Sequence, residues 1–157
     1  MKTILISGGA GYIGTELTQQ LLKKYKVIVL DNLSTGSLKN LKFVENKIKF
    51  VKCDVSKNKN LGKLLYGVDY VFHLAGLSGV TASIKNPHKY YEANVIGTSN
   101  ILNSVNHLKL KKFIYSASAS CYGNSKEIPI SEKAKIQPLS SYASTKWISE
   151  NMIMRLA

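Results

Sequence analysis

The chain has 157 residues, enough for one domain with a sizeable core, and its 45% hydrophobic and 20% charged content is that of an ordinary globular protein. No apolar run approaches the roughly 18 residues of a membrane span, and the opening Met1–Ile6 meets glycines too soon for a leader peptide, so it reads as a buried strand; the two cysteines read as reduced thiols of a cytoplasmic protein. Cys53 and Cys121 stand far apart and outside any CxxC pair, which disfavours a disulfide framework or a metal site. The net charge is +13, yet 21 of the 22 basic residues are lysines scattered along the chain; base readout and phosphate forks favour arginine, so no nucleic-acid partner is expected.

Strand and helix patterns alternate from the start. Short runs rich in Val, Ile and Phe predict buried parallel strands at Thr3–Ser7, Lys26–Leu30, Lys47–Lys52, Tyr70–Leu74 and Lys112–Ser116. Helical spacing predicts Tyr12–Tyr25, with Ile13, Leu17, Leu21 and Leu22 inward, then Lys57–Tyr66 and a long helix His88–His107. A last helix is predicted over Tyr142–Leu156, capped by Ser140 or Ser141, and a short one within Ser34–Asn46. Right-handed crossovers turn this alternation into an α/β Rossmann-type, doubly wound parallel sheet of about five strands in the order 3-2-1-4-5, with helices on both faces.

The turn after the first strand reads Ser7-Gly8-Gly9-Ala10-Gly11-Tyr12-Ile13-Gly14. Gly8 permits a tight turn, Gly11 lets backbone approach a pyrophosphate, and Gly14 lets helix and strand pack closely. The first helical N–H groups, at Tyr12, Ile13 and Gly14, face the phosphates. Asp31 follows the second strand, 17 residues after Gly14, where a carboxylate accepts from ribose hydroxyls and repels a 2′-phosphate. Asn32 adds no positive charge, so the expected cofactor is NAD rather than NADP. After the third strand, Asp54-Val55 offers a carboxylate to the adenine amino group or, alternatively, a helix cap at Ser56.

Tyr142 and Lys146 fall on one face at the start of the last helix, and an ammonium beside a phenol favours the phenolate. The fifth strand ends in Ser116-Ala117-Ser118, whose hydroxyls reach the crevice at the carboxyl edge of such a sheet. There Ser118 can hydrogen-bond the oxygen whose proton Tyr142 moves.

Taken with His73-Leu74-Ala75-Gly76, Ser83-Ile84 to Pro87 and Asn94-Val95-Ile96-Gly97-Thr98, these pieces resemble the extended short-chain dehydrogenase/reductase family over almost the whole chain. Within it, the sequence is most similar to NAD-dependent nucleotide-sugar epimerases of the UDP-glucose 4-epimerase type. The resemblance implies that Tyr142 is the acid and base, that Lys146 binds the nicotinamide ribose and tunes Tyr142, and that Ser118 orients the sugar hydroxyl. It also implies that Leu74, Ala75 and Gly76 line the cofactor crevice and that Asn94 braces it from the middle helix. In that chemistry NAD takes a hydride from sugar carbon 4 of a UDP-hexose and returns it to the other face. Dehydratases of the family carry an Asp-Glu pair after the catalytic serine or threonine; Ala119 and Ser120 stand there, which disfavours dehydration. Ser78 replaces a lysine of the nearest bacterial epimerases, which leaves the sugar open.

Family members continue into a C-terminal substrate domain, so residues 1–157 are expected to form an incomplete NAD(P)-binding unit. A fragment of a longer enzyme, a truncated product and a self-sufficient binding module all remain open, and the expectation is NAD binding with little turnover. The resemblance further implies a homodimer through helices 88–107 and 142–156.

Overall fold

Five short parallel strands hydrogen-bond in the order β3-β2-β1-β4-β5: Thr3–Ser7 (β1), Lys26–Asp31 (β2), Lys49–Lys52 (β3), Tyr70–His73 (β4) and Lys112–Tyr115 (β5). The computed structural model in which they lie describes residues 1–58 and 60–155. The register sets Ser7 beside Leu30 on one side and His73 on the other, with Tyr115 beyond His73. Every strand therefore ends at one edge, where the loops that build the site emerge.

Side chains alternate between two cores. Ile4, Ile6, Val27 and Val29 bury one face under Tyr12–Leu21 (α1) and Leu38–Leu41 (α2), through Leu17, Leu21 and Leu41. Leu5, Leu30 and Val71 bury the other under Leu61–Leu65 (α3) and Gly97–Ser104 (α6), through Leu61, Leu65, Ile101 and Val105. Buried on both faces, the central strands need no polar alternation, which is why they read as continuous apolar runs.

Several expected boundaries shift. The long helix expected over 88–107 is three pieces: Pro87–Tyr90 (α5), a π-helical turn Tyr91–Ile96, and α6. Asn86 caps α5 by accepting from the Lys89 N–H, and Pro87 occupies its first turn. A further helix, Val80–Lys85 (α4), lies where the sequence pattern gives none. β3 starts at Lys49 because Glu45–Lys47 forms a 3₁₀ turn, and α3 is confined to Leu61–Leu65. Ile13, expected inward on α1, is 62% exposed because it stands in the first turn beside the crevice rather than over the core. The last helix, Ser141–Met154 (α7), is capped by Ser140, whose hydroxyl accepts from the Ala143 N–H. Leu156, its expected end, lies outside the described residues. α7 packs on α4, α5, α6 and the π turn, and its Lys146 reaches over the Tyr115 ring at the end of β5. Among the described residues, no helix is long and apolar enough to cross a membrane.

Candidate functional site

The carboxyl edge of the sheet opens into a groove made of two adjoining clefts. One, of about 280 Å³, is lined by Asp31, Asn32, Asp54 and Val55; the other, of about 330 Å³, by Tyr12, Ile13, Ser116, Tyr142 and Lys146. Gly8, Gly11, Leu74 and Gly76 border both, so the glycine loop is the waist of the groove.

Gly8 sits at φ +75°, and a Cβ there would meet the Ala75 nitrogen at 2.7 Å. A Cβ on Gly14 would run into the Gly8 carbonyl oxygen. The first helical bond of α1 is from Thr15 N–H to Gly11 O, leaving the amides of residues 12–14 to point into the second cleft. Such a bare, positively polarised helix end is suited to a phosphate.

Asp31 is buried, at 8% exposure. Its two oxygens accept from the Ala10 N–H (3.0 Å) and the Leu33 N–H (2.8 Å). Each keeps a lone pair for a ligand hydroxyl, so this carboxylate both shapes the loop and faces the cleft. Asp54 accepts from the Ser56 N–H (3.0 Å) and hydroxyl (2.7 Å) within a turn while lining the first cleft; it caps no helix among the described residues, because α3 starts only at Leu61. Burial raises its carboxyl, but hydrogen bonds from Ser56 and Asn32 outweigh this and hold it below the usual carboxylate range.

At the other end, Tyr142 and Lys146 share one cleft. The Tyr142 N–H donates to the Ser83 hydroxyl (3.0 Å), and its ring meets Tyr90 edge-on at 6.4 Å. Burial pushes the Lys146 ammonium down to about 8, and its Nζ stands 4.1 Å from the centre of the Tyr115 ring. Ser116 and Ala117 line the cleft. Ser118 does not line either cleft: it caps the short turn Ala119–Tyr122, and its hydroxyl pairs with Ser120 Oγ at 2.7 Å.

Asn94 lies below the groove, in the π turn, at 2% exposure. Its Oδ1 accepts from the Leu77 N–H (2.7 Å), and its Nδ2 donates to Leu77 O (3.1 Å) and Thr145 Oγ (3.0 Å). It thus ties the loop after β4 to the helix that carries Tyr142 and Lys146.

Sequence reasoning missed a second buried chain. Thr98 Oγ gives its one proton to Asn94 O (2.5 Å), so it accepts from His73 Nε2–H (2.9 Å); Nδ1 then accepts from the Ser7 hydroxyl (2.6 Å). Burial, with Lys146 nearby, drives His73 down to about 3 and keeps it neutral. Lys57 and Glu92, also missed, line the first cleft and pair at 3.8 Å. They come from elements whose approach only the fold reveals. Among the described residues, no group of three His, Cys, Asp or Glu stands placed to hold a metal ion.

The fold and this groove define a Rossmann-type α/β domain whose glycine loop borders a cleft holding a Tyr and Lys pair. The chain belongs to the GDP-mannose 4,6 dehydratase family, whose model matches residues 5–157, and with it to the extended short-chain dehydrogenase/reductases. A UDP-glucose 4-epimerase of Lactobacillus helveticus is 37% identical over 153 residues, covering 96% of this chain and 46% of that protein. The solved UDP-Glc/GlcNAc 4-epimerase of Campylobacter jejuni superposes with a TM-score of 0.93 at 34% identity, over 99% of this chain and 49% of that one. A UDP-glucose 4-epimerase of Bifidobacterium longum, solved in complex with NAD+ and UDP, gives 0.89 at 31% identity, over 99% and 49%. The chain spans about half the length of the relatives it matches.

Proposed function

We propose that these residues form the NAD-binding and catalytic half of a nucleotide-sugar 4-epimerase acting on a UDP-hexose. The observation that carries this reading is the single groove with carboxylates of Asp31 and Asp54 at one end, the glycine waist between, and Tyr142 with Lys146 at the other. NAD fits it: Asp31 keeps acceptor capacity for ribose hydroxyls, the amides of residues 12–14 suit a pyrophosphate, and the glycines leave the room a Cβ would fill. When bound, NAD supplies a hydride acceptor and donor for carbon 4 of the sugar. Tyr142 takes the proton of the sugar hydroxyl as it is oxidised and returns it afterwards. Lys146, in the same cleft as Tyr142, binds the nicotinamide ribose. Asn94 fixes the spacing between the loop after β4 and the helix that carries Tyr142 and Lys146.

Epimerisation is favoured over dehydration because Ala119 and Ser120 stand where an acid would protonate a leaving hydroxyl, and the Ser120 hydroxyl is already paired with Ser118. The same reading includes a homodimer through the surface where Tyr91 (46% exposed) and Ile148 (38%) face outward.

A second reading, NAD held without turnover, is favoured by one feature: Ser118 points its hydroxyl to Ser120 rather than into the cleft. One titration separates the two. Quenching of Trp147 fluorescence by NADH is expected on both readings, and its absence at millimolar NADH overturns both. Slow conversion of UDP-galactose in the presence of NAD+, well below that of a full-length relative and abolished by Tyr142→Phe, is expected on the first alone.

A further inference from the structure

Because all five strands run parallel, their first residues share the edge opposite the groove. Backbone bonds fix a row there: Lys26 N–H to Lys2 O, Asp69 N–H to Thr3 O, and Lys111 N–H to Asp69 O. The segments that meet at this edge, residues 1–2, 23–26, 45–49, 66–70 and 106–112, hold nine of the 21 lysines but only two acidic residues, Glu45 and Asp69. Asp69 spends one oxygen on the Thr3 N–H (2.8 Å), and among the described residues none of these lysines forms an ion pair. All nine are exposed. Lysines scattered along the sequence are thus gathered by the fold onto one face.

Aromatic rings lie among them. Tyr25 and Tyr70 pack edge-to-face at 6.1 Å, and Lys2 Nζ donates to the Tyr70 hydroxyl at 3.2 Å. Tyr66 is 81% exposed, one residue before Gly67, whose Cβ position lies 3.6 Å from Lys109 Nζ. Near the starts of β1, β2 and β3 the edge opens into a cavity of about 530 Å³ whose floor is largely apolar, with Met1, Leu22, Val27 and Ile28, and which Tyr25, Lys26, Lys47 and Lys49 also line. An array of ammonium groups that follows a line of phosphates, with an exposed ring such as Tyr66 on which a base stacks, is the chemistry that holds single-stranded nucleic acid without sequence preference.

We propose that this edge is a docking surface for single-stranded nucleic acid, separate from the cofactor groove and independent of the epimerase reading. The test is fluorescence anisotropy of the chain with a labelled oligo-U, across a salt series, with NADH present and absent. Lys26→Glu, Lys49→Glu, Lys109→Glu and Lys111→Glu together are expected to weaken binding about tenfold or more and to flatten the logarithmic salt dependence by about 0.7 for each phosphate no longer neutralised. The same reversal at Lys85, Lys126, Lys133 and Lys135, exposed lysines outside this edge, is expected to change it little. Tyr66→Ser is expected to cost the oligonucleotide about fivefold while leaving heparin binding unchanged. Equal losses from the two lysine quartets, equal oligonucleotide and heparin responses to Tyr66→Ser, competition by NADH, or preference for phosphatidylserine vesicles over oligo-U would each overturn the proposal.

Discussion

The Lys146 ammonium stands 4.1 Å from the centre of the Tyr115 ring, where burial has already pushed it down to about 8. The ring face returns part of the hydration that burial removes. A lysine whose pKa is lower folded than unfolded binds fewer protons when folded, so its contribution to stability is complete only above about 10.5 and is lost as pH falls toward 8. At neutral pH the charged group therefore opposes folding. Lys146→Met is expected to raise the melting temperature of the cofactor-free chain by roughly 2–4 °C and to weaken NADH binding in the same preparation. Scanning calorimetry and Trp147 quenching check the pair, and a lower melting temperature would show that the cation holds the site together.

His73 carries the same linkage into the acid range. Its imidazole is held neutral, down to about 3 against 6.5 unfolded, so the folded state binds fewer protons than the unfolded one between those values. Its stability contribution is complete above about 6.5 and is eroded as pH falls toward 3, by at most about 1.4 kcal/mol per pH unit. His73→Gln keeps an acceptor for Ser7 and a donor for Thr98 but removes the titration. Urea midpoints measured between pH 7.5 and 5 are expected to fall less steeply for the variant than for the parent chain.

The strands are legible in the sequence because they are buried on both faces, and Thr3–Ser7 matches the sequence reading to the residue. The glycine loop and Asp31 are legible because their spacing follows from how a strand, a turn and a helix meet. The 88–107 segment is not: periodicity sees a single amphipathic stretch, whereas the π turn that seats Asn94 is stabilised by Thr145, Thr98 and Ser149, all distant in sequence or a turn away. The His73 chain escapes for the same reason, since Ser7, His73 and Thr98 meet only after three elements have packed. Ser118 shows the converse. A hydroxyl at a strand's carboxyl end has two outlets, the crevice and the next turn, and here the cap of Ala119–Tyr122 takes it.

Gly76 offers a local test of the brace. A Cβ there would lie 2.9 Å from Asn94 Oδ1, the atom that accepts from the Leu77 N–H. Gly76→Ala is expected to push Asn94 off that bond and destabilise the chain by about 1–3 kcal/mol, read as a lower urea midpoint. Adding Asn94→Ala should cost less in that background than alone, because the two substitutions break the same hydrogen bond. Simple additivity would show that they act separately.

Asp31 has two duties, and the choice of substitution decides which is measured. Asp31→Ala removes the acceptor for the buried Ala10 N–H and for Leu33, which is held at φ +62°, so weakened binding would follow from a reshaped loop alone. Asp31→Asn keeps one carbonyl oxygen of the same reach, removes the charge, and leaves one of the two N–H groups, Ala10 or Leu33, facing an NH2 instead of an acceptor. It is expected to leave the melting temperature within a few degrees, to weaken NADH binding about tenfold through loss of a charge-assisted bond to ribose, and to narrow the gap between NADH and NADPH because the 2′-phosphate no longer faces a carboxylate. Equal weakening for both cofactors at unchanged stability would assign Asp31 to the loop and leave the preference to another group.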